Sequence, residues 1–202
     1  WYIGGYFNKV GSKEVKYLAH ILADGTVDDS FDLQISYDYL YYHYFVSSLV
    51  LSPDKKTLYV GGYFNSAGGQ TRHNIAAVDT TTNTVTTFAP NISDAGDYEP
   101  AQVHSLALSS DGATLYAGGD FQTAGNQTRS SIAAINTQTG APTDWNPNAN
   151  ASVLAMALSS NGSTLYVGGY FGTIGGQTRS KIASLNTTTG VATAFNPNAG
   201  NT

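Results

Sequence analysis

Short apolar runs alternate along the whole chain with clusters of Gly, Asn, Asp, Ser and Thr. The runs fall into register. LYVGGYF occupies 58–64, LYAGGDF 115–121 and LYVGGYF 165–171, and WYIGGYF stands at 1–7. Their first residues, Trp1, Leu58, Leu115 and Leu165, are separated by 57, 57 and 50 positions. Other landmarks keep these steps. Leu18, Ile75, Ile132 and Ile182 open LAHI, IAAV, IAAI and IASL, and Phe31, Phe88, Trp145 and Phe195 form an aromatic column. Val46, Val103 and Val153 begin VSSLVLS, VHSLALS and VLAMALS. Self-similarity at this period marks a repeat fold.

Each unit holds four apolar segments, A to D. In the third these are VHSLALS (103–109), LYAGGDF (115–121), SIAAIN (131–136) and APTDW (141–145), divided by SDGAT, QTAGNQTR and TQTG. Runs rich in Val, Ile, Leu, Tyr and Phe between turn clusters predict strands. No window keeps a 3.6-residue apolar spacing over three turns. The chain therefore reads as all-β, a β-propeller-like array of about four four-stranded antiparallel blades. The units run 1–45, 46–102, 103–152 and 153–202 within a single repeat domain. The Gly pairs of the B segments (4–5, 61–62, 118–119, 168–169) predict a close backbone approach. A phosphate-cradling loop is disfavoured, because no helical pattern follows them.

Unit one begins at B and lacks its inner strand A. By the spacing from Trp145 to Val153, the A strand after Phe195 would begin one position past Thr202. Three arrangements are open: a window on a longer tandem array, a protomer whose open edge pairs with a neighbour, or a closed four-bladed ring with one three-stranded blade. An unpaired strand edge is a template for association, so another copy of the chain or a neighbouring repeat is the expected partner. The first residue is Trp, which fits a removed leader or a longer parent chain. Two of the D-to-A connections are seven residues longer than the third: QISYDYLYYHY (34–44) and NISDAGDYEPAQ (91–102). Insertions in repeat folds gather on one face, often the binding face. The B–C loops GGQTR (68–72), GNQTR (125–129) and GGQTR (175–179) are expected on that face.

The unit VxxLALSxDGxTLYxGGxFxxxGGQTRxxIAxLNxxTGxxTxFNPN resembles the delta-60 type of β-propeller repeat, found in large secreted and surface proteins of bacteria and archaea. It also resembles the kelch-like repeats of some cell-surface and cortical landmark proteins. The resemblance covers 46–90, 103–148 and 153–198, with LADGTVDDSF at 22–31. It implies a propeller scaffold and carries no catalytic signature. Unit one departs, with Lys13-Glu14-Val15 where the others have Gln-Thr-Arg, so its loop should not share a binding role.

Composition narrows the function. Hydrophobic residues make up 41% of the 202, enough for a core. Charged residues are 11%, against a usual ~25%, so Thr, Ser, Asn, Gln and Gly must wet the surface. A net charge of −5 with no basic stripe argues against a nucleic-acid partner. No stretch is apolar and long enough for membrane insertion as a helix. The absence of Cys excludes disulfides and thiolate metal sites.

Candidate side chains follow. Tyr37, Tyr39, Tyr41, Tyr42 and Tyr44, with Tyr98 of the second insertion, offer aromatic faces to glycan or protein partners. The alternative is a strand-like lead into A, packed on the domain itself. Arg72, Arg129 and Arg179 recur at one register. They are either a ring of guanidinium groups for carboxylates or sulfated sugars, or bridges to neighbouring blades. Asn91, Asn126, Asn150, Asn161 and Asn186 head glycosylation sequons in predicted loops or turns. Asp28, Asp29 and Asp32, or Asp94, Asp97 and Glu99, are the only groupings suited to calcium, and no EF-hand loop is present. No other metal or cofactor is expected. His20, His43, His73 and His104 occupy unrelated registers and read as structural. The chain is thus expected to be a non-enzymatic extracellular or cell-surface protein with structural or adhesive work in an assembly or filament. A lectin-like propeller is the alternative, and a carbohydrate-active enzyme with two facing carboxylates is a remote one.

Overall fold

Each A–B turn is closed by a serine, then an Asp or Asn two positions on. The computed structural model describes residues 1–36, 44–94 and 101–200 and shows the bonds. Ser109 Oγ donates to Asp111 Oδ1 (2.5 Å), which also accepts from the Ala113 amide (3.0 Å), while the Thr114 amide donates to Ser109 Oγ (2.9 Å). Ser52 with Asp54, and Ser159 with Asn161, repeat the pattern. Short polar side chains that bond the local backbone hold such turns.

The fold is all-β. Blade one contains β1 (Tyr2–Gly4), the loop hairpin β2 (Lys9–Val10) and β3 (Lys13–Glu14), and β4 (Leu18–His20). Blade two contains β5 (Phe45–Leu51), β6 (Thr57–Tyr63), the loop hairpin β7 (Ser66–Ala67) and β8 (Gln70–Thr71), then β9 (Ile75–Asp79) and β10 (Thr84–Val85). After β11 (Ile92–Ser93), blade three has β12 (Gln102–Leu108), β13 (Thr114–Asp120), the loop hairpin β14 (Thr123–Ala124) and β15 (Gln127–Thr128), and β16 (Ile132–Asn136). Blade four repeats this with β17 (Val153–Leu158), β18 (Thr164–Gly169), β19 (Thr173–Ile174), β20 (Gln177–Thr178) and β21 (Ile182–Asn186). Strands A, B and C of blades two to four are antiparallel neighbours, and β1 pairs with β4 alone. One bulge recurs in strand A, at Val46/Ser48, Val103/Ser105 and Val153/Ala155.

Strand D is shorter than its sequence pattern implies. Blade two alone has a two-residue ladder there. Blades three and four keep one bridge each, Ile135–Pro142 and Leu185–Ala192. A threonine ends the strand: Thr86, Thr143 and Thr193 accept, through Oγ1, the amides of Phe88, Trp145 and Phe195. That turn swings the aromatic ring over its own blade, edge-on to the Tyr of strand B. The centroid distances are 5.5 Å for Tyr59–Phe88, 5.2 Å for Tyr116–Trp145 and 5.8 Å for Tyr166–Phe195.

The core lies between blades. Leu18, Phe31, Leu33 and Ile35 pack on Val46, Leu58, Val60 and Phe64. Tyr59, Ile75, Ala77 and Phe88 pack on Val103, Leu106, Leu115 and Phe121. Tyr116, Ile132, Ala134 and Trp145 pack on Val153, Leu165, Val167 and Phe171. Strands buried on both faces need not alternate apolar with polar, which accounts for IAAV and IAAI. The Gly pairs do serve close approach. A Cβ on Gly62, Gly119 or Gly169 would stand well inside 3.0 Å of the carbonyl oxygen of Phe45, Gln102 or Ser152, in or just before strand A, and one on Gly61 or Gly118 would strike the Val that opens the next blade.

Among the described residues, blades one and four do not pack against each other. Tyr166 is 44% exposed where its equivalents Tyr59 and Tyr116 are 6% and 5% exposed, and Trp1 at the other end is 86% exposed. Among the described residues no blade packs against the outer face of blade four. Among the described residues no helix is long and apolar enough to cross a membrane.

Candidate interaction surface

Each D-to-A connector binds the B–C hairpin of the next blade. The Pro carbonyl of an Asn-Pro-Asn or Ala-Pro-Asn segment accepts from a glycine amide: Pro90 from Gly125 (2.6 Å) and Pro147 from Gly175 (2.7 Å). Leu33 takes the role at the first junction, accepting from Gly68 (2.5 Å). Both partners need left-handed backbone just beside the bond. Asn91 and Asn148 lie at φ 49° and 53°, and Gly125 and Gly175 at 55° and 60°. Asn and Gly tolerate that region at least cost. The stems of both insertions rise from this clamp: Ser36 bridges Ser66, and β11 pairs with β14. The insertion stems and the QTR loops thus share one face.

Among the described residues of this face, clefts lie at two of the blade junctions. One, of about 420 Å³, is lined by Glu14, Lys16, Asp32, Gln34, Ser36 and Ser66. The other, of about 410 Å³, is lined by Asp94, Asp120, Gln122, Ser130, Asn150 and Ser152. At the second, Asp120 Oδ2 lies 2.9 Å from His104 Nε2, and Ser152 Oγ donates to Asp120 Oδ1. Asp stands between His and Ser here. Nucleophile activation needs the imidazole against the hydroxyl, so this trio fixes side chains and does not prepare a nucleophile. Its signal in the sequence was a double departure from the repeat. Asp120 replaces the Tyr of the other B strands, and His104 replaces Ser47 and Leu154.

The three arginines are placed differently from either expectation. Arg72 and Arg129 are buried and Arg179 partly so. Arg129 donates to the carbonyls of Thr128 (2.7 Å) and Thr143 (2.6 Å) and to Gln127 Oε1 (2.5 Å). Arg72 repeats this with Thr71, Thr86 and Gln70, and Arg179 with Thr178 and Thr193. Each guanidinium staples its B–C loop to strand D of its own blade, not to a neighbour. All these acceptors are neutral, and burial pushes the Arg72 guanidinium below its ordinary value.

Tyr37, Tyr39, Tyr41, Tyr42 and Tyr98 lie outside the described residues, as does His43. Tyr44 is half-buried, with its ring 5.5 Å from Tyr17, edge-on. Tyr17 in turn stacks at 6.3 Å on Tyr6, which is 63% exposed. The sequence reading passed over Tyr6 and Tyr17. Tyr17 adopts φ 66°, a costly conformation for a bulky side chain, at a register filled by Asn74, Ser131 and Lys181. The backbone demands it: the Tyr17 amide donates to Phe7 (3.0 Å) and its carbonyl accepts from Gly5 (2.9 Å).

Of the sequon residues, Asn91, Asn126, Asn150 and Asn161 are exposed and Asn186 is intermediate. Asn161 Oδ1 belongs to an A–B turn, Asn150 Oδ1 accepts from Gly172 and Thr173, and Asn186 Oδ1 accepts from Thr188 and Thr189. The carboxylates considered for calcium have separate partners: Asp28 binds Ser30 and His20, Asp29 pairs with Lys13, and Asp32 accepts from the Gln34 amide. Asp97 and Glu99 lie outside the described residues. Among the described residues no group of three His, Asp or Glu is placed to hold a metal ion.

Asp28 carries a pH dependence. Hydrogen bonds from Ser30 first, then from His20, hold its carboxyl down at about 2. A depressed carboxyl stabilises the fold fully above its unfolded value and ceases to do so as pH falls through the folded one. The stability advantage of the wild type over Asp28→Asn is expected to be constant above pH 4 and to vanish between pH 4 and 2. Urea unfolding at a series of pH values reads it, and an advantage unchanged at pH 2 would refute the assignment.

A family model described as a domain of unknown function (DUF5122) β-propeller matches residues 1–31 and 160–190. Similar solved structures include "Structure of U3-55K", with TM-score 0.51 and 15% identity over 79% of this chain and 38% of that one. Another is "Crystal structure of RRP9 WD40 repeats", with TM-score 0.52 and 13% identity over 80% of this chain and 43% of that one. The chain spans about two fifths of the length of these structures. At such identities the likeness shows the fold, and the chain is a β-propeller repeat domain. No curated protein sequence matches it.

Proposed function

We propose that this chain is a non-enzymatic propeller scaffold of the delta-60 or kelch-like type, working outside the cell or at its surface in a structural or adhesive assembly. The exposed outer faces of blades one and four carry this reading. Phe195 is 45% exposed where Phe88 and Trp145 are 8% and 7% exposed, so blade four carries on its outer side the same kind of face that the inner blades bury against a neighbour. Four of its aspartates serve the turns of the scaffold. Asp24, Asp54, Asp79 and Asp111 are each lowered by hydrogen bonds from their own turns and kept ionised there. Location rests on low charge, absent Cys and the exposed sequons. Sedimentation of the chain over a wide concentration range should give a rising mass, and deglycosylation should lower the mass of the natural protein. A concentration-independent monomer with no mass change would end this reading.

One observation favours glycan binding as a second reading. The stack of Tyr6, Tyr17 and Tyr44 offers partly exposed ring faces beside the first insertion stem. Tyr6→Ala should then abolish glycan retention while leaving the unfolding transition in place.

A further inference from the structure

One position of strand B separates blade three from the others. Tyr6, Tyr63 and Tyr170 each follow a Gly pair, and Asp120 stands in their register. In blade two Tyr63 is buried, with its ring 6.2 Å from that of Phe45, its partner across strands A and B. In blade three both rings are gone, and Gln102 pairs with Asp120. The cleft of about 410 Å³ lies here, between blades three and four. Blade three has a neighbour packed on each side. The opening is therefore made by the exchange of side chains.

The acidic group is held in place. Ser152 Oγ donates to Asp120 Oδ1, and the His104 imidazole lies 2.9 Å from Oδ2. A carboxylate oxygen accepts more than one bond. The Asp120 side chain is 47% exposed, so acceptor sites remain toward the cleft it lines. The donors opposite are amides. Asn150 Oδ1 takes the Gly172 and Thr173 amides, which fixes the plane of the group and leaves Nδ2 with no protein partner among the described residues. Gln122 lines the same cleft, and Ala151 adds a small apolar surface. An anion entering it would meet the carboxylates of Asp94 and Asp120. A cation would leave the amide donors without partners, which costs binding. A neutral ring bearing several hydroxyl groups satisfies acceptors and donors together, in a cleft of a size that suits a single small ligand.

We propose that the cleft beside Asp120 is a subsite for one pyranose unit of a glycan. Asp120 accepts from neighbouring hydroxyls, while Asn150 Nδ2 and the Gln122 side-chain amide donate to others. Asp120 and Asn150 are fixed before the ligand arrives, which lowers the ordering cost of binding. Asn150 is then expected to carry no glycan of its own, since its Nδ2 is engaged. The proposal rests on the glycan-binding reading and assigns it a contact in a different blade from Tyr6.

The test records backbone and side-chain amide NMR spectra of the isotope-labelled chain during titration with methyl glycosides of glucose, galactose, mannose and N-acetylglucosamine. Sorbitol is the open-chain control. At least one glycoside is expected to give saturable shifts at Asp120, Gln122 and Asn150, and sorbitol none. Asp120→Tyr restores the residue of the other repeats, so it should fold and should abolish these shifts. Asp120→Asn keeps the shape of the cleft and should bind about ten-fold more weakly, the scale of a lost charged acceptor. Cleft shifts absent with every glycoside, equal shifts with sorbitol, binding retained in Asp120→Tyr, or undiminished binding in Asp120→Asn would overturn the proposal. The spectra also separate it from the reading beneath it. Shifts confined to Tyr6, Tyr17 and Tyr44 would remove the cleft and keep glycan binding, and shifts nowhere would remove both.

Discussion

Gly119→Ala destabilises the protein by about 3 kcal/mol or more and removes the cooperative unfolding of blade three. Overpacking a core against movable side chains costs about 1–3 kcal/mol. Here the added methyl stands well inside 3.0 Å of the Gln102 carbonyl oxygen and against the Val103 Cα. Those atoms belong to β12, whose position is set by six registered pairs with β13 and by the contact of Val103 with blade two. The strand must shift as a unit or the hairpin must open. With typical domain stability of about 5–15 kcal/mol, either outcome is severe. Gly5→Ala, at the same register but beside the open edge, should cost less than about 0.5 kcal/mol, as ordinary surface changes do. Urea unfolding followed by circular dichroism compares the two. Equal losses would mean that the Gly pair serves the B strand itself and not the strand beside it.

The second large effect is expected at Trp145. Truncation to alanine removes a ring buried between blades three and four, its edge-on contact with Tyr116 at 5.2 Å, and the Nε1–H donor to the Asn186 carbonyl at 3.0 Å. Large-to-small changes of this kind cost about 3–5 kcal/mol, in proportion to the cavity left. Phe195 stands at the same register and makes the same contact with Tyr166, yet its ring faces open solvent. Phe195→Ala should therefore cost no more than about 1 kcal/mol, the scale of one aromatic pair. Calorimetric melting of both variants measures the difference. A loss at Phe195 as large as at Trp145 would show that blade four is covered in solution.

Much of this architecture was legible in the residues because a repeat writes its local rules several times. The Ser-x-Asp/Asn turns, the Gly pairs and the aromatic column each recur at fixed steps, and each recurrence selects one backbone solution from several. The turn atoms bond within six residues of one another, so neighbours in sequence suffice to specify them. The shared face of insertions and loops was also readable, since connection lengths constrain where a chain can turn. The arginines show where this kind of reading stops. Their recurrence was plain, but its meaning lay in carbonyls fourteen residues away, Thr86, Thr143 and Thr193. Likewise, nothing local announced that a Thr-Oγ turn would cut strand D to one or two paired residues.

By itself, then, the sequence determined the β class, the repeated register of the strands and the turns that join them. Those properties depend on short-range sterics and hydrogen bonding, which each unit contains in full. Only the tertiary structure decided which copies of one residue are buried. Phe88 and Phe195 share a motif and differ because one has a blade beyond it. It also decided that His104, Asp120 and Ser152 meet and that the guanidinium groups turn inward. Burial and convergence are set by what lies across a junction, and a repeat cannot encode in its own residues whether a neighbour is there.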